Sequence, residues 1–107
     1  MLLVRELTIP PMTLRTNPAF LVVEEGRLLN AVDVIFPEGC LYAVGIKISD
    51  NGQQIIPNHF GWLSDNNKTV TIHGPIKLSD ARHLVLCGFS DASDWPHTIT
   101  FRLDFSQ

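Results

Sequence analysis

The stretch VDVIFPEGCLYAVGIKISDNGQQIIP, Val32 to Pro57, decides how the chain is read. It reads as strand, turn, strand and hairpin. VDVIF runs into Pro37-Glu38-Gly39, where Pro supplies no backbone donor and Gly accepts a turn conformation. The next apolar run ends at Asn51-Gly52, the strongest short hairpin signal, because both residues accept the positive φ of a type I′ turn. Apolar residues recur here with period two, the spacing of a strand.

The same pattern extends in both directions. Runs rich in β-branched and aromatic residues lie at 2–9, 19–24, 28–36, 41–48, 53–56, 68–73, 82–89 and 97–105. The last is the clearest, with Ile99, Phe101, Leu103 and Phe105 on one side and Thr98, Thr100, Arg102 and Asp104 on the other. In KTVTIH (68–73), Val70 and Ile72 point inward while Thr69, Thr71 and His73 point out. Glu25-Gly26 and Asp65-Asn66-Asn67 supply further turns. Pro10-Pro11 and Asn17-Pro18 bracket an extended, non-helical connection. These runs predict an all-β fold, a single antiparallel β-sandwich of about eight strands over residues 1–107, jelly-roll-like in organisation.

Composition narrows the function. The 107 residues are 45% hydrophobic and 18% charged, with a net charge of −3. Lys and Arg are scattered singly, so no basic stripe follows a phosphate backbone, and no nucleic-acid partner is expected. No apolar run reaches the length of a membrane span, and Arg5 and Glu6 interrupt MLLVRELTIP too early for a signal peptide. The expected location is a virion or another extracellular or cytoplasmic assembly. Cys40 and Cys87 are read as free, mostly buried thiols, each behaving as a small hydrophobe.

Two strands are apolar on both faces. In 28–36, Leu28, Val32, Val34 and Phe36 oppose Leu29, Ala31, Asp33 and Ile35; in 82–89, Val85, Cys87 and Phe89 oppose Leu84 and Leu86. A sheet with one solvated face should alternate apolar and polar. A charge is rarely buried without a partner, so Asp33 marks one outer face and Arg82 the other. That reasoning makes Leu29, Ala31, Ile35, Leu84 and Leu86 an assembly interface covered by neighbouring subunits. Loops 10–18 or 57–67 folding over the sheet are the competing cover.

Signals for chemistry are weak. His59, His73, His83 and His97 fall in unrelated segments without H-x-H, C-x-x-C or H-E-x-x-H spacing. His83 and Cys87 share a strand face but stand about 13 Å apart. Asp91 and Asp94 in SDASDWPH (90–97) lack the alternating oxygen ligands of a calcium loop. No Ser sits in a nucleophile elbow. No metal, cofactor or enzymatic activity is expected. Trp62, Trp95 and Tyr42 lie at loops or strand starts, where an exposed aromatic ring can stack on a sugar or a partner.

The order TIPPMTLRTNP (8–18), VIFPEGC (34–40), VGIKI (44–48) and PHTITFRLDF (96–105) resembles small β-sandwich virion proteins of phages and related viruses. The resemblance implies a structural subunit, such as a capsid, decoration or spike component, and lends no catalytic residues. The expected function is therefore a non-enzymatic, self-associating virion subunit, with a carbohydrate-binding module as the alternative.

Overall fold

The computed structural model describes residues 1–24, 28–58, 61–79 and 83–106. Among them the chain forms β1 (Leu2–Ile9), β2 (Ala19–Val23), β3 (Leu28–Phe36), β4 (Val44–Asp50), β5 (Gln53–Ile56), β6 (Leu63–Ser64), β7 (Lys68–Lys77), β8 (Leu84–Ser90) and β9 (His97–Ser106), and no helix. Two antiparallel sheets result. Sheet A runs β1-β9-β3-β7 and sheet B runs β2-β8-β4-β5, with β6 also paired to β4. The chain changes sheet at each step from β1 to β4 and again at each step from β6 to β9, which gives the double-sheet order of a jelly roll.

The inner faces follow the period-two reading. Val32, Val34 and Phe36 from β3 pack with Ile99, Phe101, Leu103 and Phe105 from β9, and Ile46, Ile48, Leu84 and Leu86 close the core from sheet B. Asn51 (φ 48°) and Gly52 (φ 88°) form the β4–β5 turn in the left-handed region, and Asn67 (φ 48°) does the same before β7. The Glu25-Gly26 turn lies outside the described residues.

Three boundaries differ from the sequence expectation. β4 begins at Val44 rather than 41, because Leu41 and Tyr42 both take positive φ in the connection from β3. β6 is an additional two-residue strand, held by its pairing of Ser64 and Leu63 with Gly45 and Ile46. β7 continues past His73 through Gly74-Pro75 to Lys77. Pro is tolerated there because β7 is an edge strand, where a missing donor costs no ladder bond.

Connections 10–18, 37–43, 65–67 and 91–96 gather at one end of the sandwich. They are tied together by Met12 N–H to Ala92 O (2.9 Å), Asp91 N–H to Ala43 O (2.8 Å) and Asn67 N–H to Pro37 O (3.2 Å). Asn66 Oδ1 accepts from the Gly39 and Leu41 amides (3.2 and 2.9 Å). This loop-bearing end carries much of the exposed apolar surface.

Candidate functional site

Four surfaces bear on function: the two outer sheet faces, the β1–β2 side and the loop-bearing end. The outer face of sheet A is polar. Its cross-strand rows place Leu2, Asp104, Ala31 and His73 side by side, then Val4, Arg102, Asp33 and Thr71, then Glu6, Thr100, Ile35 and Thr69. Asp33 sits in the middle, accepting from Thr71 Oγ1 (2.7 Å) and pairing with Arg102 (3.2 Å). Ala31 and Ile35 lie half-buried on this outer face, among hydroxyl- and charge-bearing neighbours.

Leu29 corrects the expected interface more sharply, because it is fully buried in the core. Pairing with β9 steps from Leu29↔Phe105 to Ala31↔Asp104, so Asn30 is an extra residue on β3. An inserted residue reverses inside and outside on one flank, which turns Leu29 inward. Opposite it, Gly74 lies against the Leu29 and Asn30 carbonyls with no room for a Cβ. Asn30 Nδ2 donates to Ser106 Oγ (2.7 Å).

Leu84 and Leu86 are also fully buried core residues, not an outer patch. Arg82, from which their direction was inferred, lies outside the described residues, and the strand itself starts at Leu84. The outward residues of β8 are Val85, Cys87 and Phe89. Phe89 is covered by the protein's own loops. Its ring stands edge-on to Trp62 (4.9 Å between centroids, 79° between planes), and the Arg15 guanidinium lies 3.7 Å from its centre. Lys47 in turn lies 4.3 Å above Trp62.

Arg15, Phe89, Trp62 and Lys47 thus form a ladder of alternating cation and aromatic contacts across sheet B. Gly45 makes it possible. It pairs directly with Phe89, and a Cβ on Gly45 would occupy the space of the Phe89 ring. Arg15 and Trp62, which come from the segments 10–18 and 57–67 expected as the competing cover, therefore shield this part of the sheet. Trp62, half-buried with Lys47 on its face, is not available to stack on a ligand.

The β1–β2 side has a different character. β1 and β2 are neighbouring edge strands of the two sheets. Leu2 and Val4 are exposed on the outer face of β1, and Phe20 (66% exposed) and Val22 (38%) on that of β2. β2 reads AFLVV and has no charged side chain. Its one strand partner among the described residues is β8. Sequence shows this run to be apolar, but not that it lies at an edge, since edge position follows from the order of the whole sheet.

At the loop-bearing end Met12, Leu14, Leu41, Tyr42 and Trp95 are all exposed. A cavity of about 220 Å³ opens beside Trp95 between 39–43 and 91–95, with His97 in its lining. Arg15 donates to both carboxylate oxygens of Asp91 (3.1 and 3.0 Å). Tyr42 (68% exposed) and Trp95 (63%) both lie at this end; Trp62 does not join them.

A second cleft, of about 510 Å³, lies on the opposite side from β1 and β2, lined largely by Ile55, Ile56, Pro57, Ile72 and Ile76. The described histidines are dispersed: His73 is exposed on β7, His83 lies beside the Asn51–Gly52 turn, and His97 is buried at the loop-bearing end. His59 lies outside the described residues. Among the described residues no three His, Cys, Asp or Glu side chains come together as a metal site. Cys40 and Cys87 are unbridged. Burial pushes both thiols up from their ordinary value, and the Lys47 charge partly offsets this at Cys87.

No protein-family model matches the chain, and no curated protein matches it either. Among the described residues no helix is long and apolar enough to cross a membrane.

Proposed function

We propose that the chain is a non-enzymatic structural subunit that associates with further copies of itself through the β1–β2 side, as a component of a viral or phage-like particle. The observation that carries this reading is β2, an uncharged apolar edge strand with Phe20 two-thirds exposed. Edge strands present unpaired backbone groups, and proteins that remain single usually blunt them with Lys, Pro or a covering loop. β2 carries neither Lys nor Pro within its span. Two copies joined antiparallel along β2 would merge their B sheets about a two-fold axis, the self-complementary contact of most homo-oligomers. Each covered Phe20 side chain would contribute about 1.5–3 kcal/mol.

The particle setting draws on the jelly-roll order, which capsid domains use, although fold alone does not fix function. Light scattering provides the test. The native protein should run as a dimer or larger species, and Phe20→Lys should run as a monomer with an unchanged melting temperature. A native protein that stays monomeric at every concentration would remove the proposal.

A second reading is favoured by Tyr42 and Trp95, exposed together at the loop-bearing end. Lectin domains also use jelly rolls, and exposed aromatic rings suit a carbohydrate-binding module. This surface is separate from β2, so both roles are compatible in one molecule.

A further inference from the structure

We propose that the cleft between β5 and β7 binds the aliphatic chain of a small amphiphile. The inference is independent of pairing along β2 and of the aromatic residues at the loop-bearing end. β5 and β7 are the edge strands of the two sheets on the side away from β1 and β2. β1 and β2 lie against each other, whereas a cleft of about 510 Å³ opens between β5 and β7. Its volume falls within the roughly 300–1,000 Å³ of small-molecule pockets.

Both strands depart from regular pairing where they border the cleft. Pairing of β5 with β4 steps from Ser49↔Gln54 to Ile48↔Ile56, so Ile55 is an inserted residue. An inserted residue re-aims a side chain, and Ile55 lines the cleft beside Ile56. On β7 the pairing with β3 steps from Ala31↔His73 to Leu29↔Ile76 across Gly74-Pro75. Ile72 and Ile76, on either side of that step, supply the facing wall. Ile56 is buried, while Ile55, Ile72 and Ile76 are only half-buried.

The lining selects the ligand. Among the described residues it holds no Asp, Glu, Lys or Arg, so a charged group finds no counter-charge within it. It also offers no aromatic ring on which a planar ligand could stack. Gln54 Nε2 donates to the Pro57 and Gly61 carbonyls (3.0 and 3.2 Å), which holds that amide against its own loop. Asn58 and His73 are exposed and mark the solvent side, where a polar head stays in water.

A peptide strand is a poorer occupant. β7 begins and ends in Lys and contains Pro75, and β5 is four residues long and runs into Pro57. These are the devices that block strand addition at an edge. Size agrees with a short chain: at about 30 Å³ per water-sized group, about 510 Å³ holds roughly 17 heavy atoms.

The test titrates the intact protein, labelled at its isoleucine methyl groups, with hexan-1-ol, octan-1-ol and decan-1-ol, and with 2-naphthol as the planar control. The Ile55, Ile72 and Ile76 methyl signals should shift in NMR spectra, and that of Ile35, on the outer face of sheet A, should not. The Kd should fall about two- to fourfold per added methylene, and 2-naphthol should bind more weakly than octan-1-ol. Ile76→Gln should weaken octan-1-ol binding about tenfold. If thermal melting shows that variant unfolded, the methyl map and the chain-length series of the native protein decide alone. Unmoved cleft methyls, an affinity independent of chain length, tighter binding of 2-naphthol, or a folded Ile76→Gln that binds as before would each overturn the proposal. Cleft methyls that shift with protein concentration and ignore the alcohols would overturn it too, and make the cleft a contact between copies.

Discussion

Gly45 and Phe89 act as one structural unit. An aromatic ring laid over a cross-strand glycine compensates for the missing side chain, and here the ring also seats Trp62 and Arg15. Gly45→Ala should displace Phe89 and cost about 1–3 kcal/mol, the range for overpacking, with a change in Trp62 fluorescence as the local readout. Charge substitutions separate inside from outside. Val34→Glu and Leu84→Glu each force an unpaired carboxylate into the core and should abolish cooperative thermal unfolding. Ile35→Glu enters the polar face of sheet A among Thr69 and Thr100 and should leave the melting temperature nearly unchanged. Thiol reactivity belongs to this scale too. Burial raises both thiols, so at neutral pH each is protonated and a thiol reagent should label Cys40 only on unfolding and Cys87 slowly. Lys47→Ala removes the charge that lowers Cys87 and should slow its labelling further.

Strands and hairpins were the most legible elements, because period two and turn chemistry are local properties. β9 and the Asn51-Gly52 turn follow from a few adjacent residues, and the structure places them as expected. Gly52→Ala should cost about 1 kcal/mol by denaturant titration, the penalty of a left-handed conformation for a residue with a Cβ. What local pattern hides is any change of phase. The extra residue at Asn30 turns Leu29 into the core, and it depends on how β3 meets β9 and β7. An outward direction for Leu84 and Leu86 rests on Arg82, which lies outside the described residues, and both leucines are buried in the core. Trp62 was hidden for a related reason, since its partners Phe89 and Lys47 come from strands far away in sequence. Trp95 falls in a loop as the turn residues before it imply, whereas Tyr42 lies outside the strand expected to begin at 41, because its positive φ belongs to the connection before β4.

At the scale of the whole molecule, the two outer faces resolve differently. Sheet A carries a solvated lattice of hydroxyls and charges, while part of sheet B is roofed by its own loops. The association surface proposed here therefore comes from strand order, which leaves AFLVV at an edge, and not from strands that are apolar on both faces. Amide hydrogen exchange across a concentration series tests that claim most directly. As concentration rises and oligomers form, amides within Ala19–Val23 that point away from β8 should gain protection, and Phe20→Lys should abolish the gain. Exchange in β2 that stays the same while the measured mass increases would contradict edge pairing and move the interface elsewhere on the sandwich.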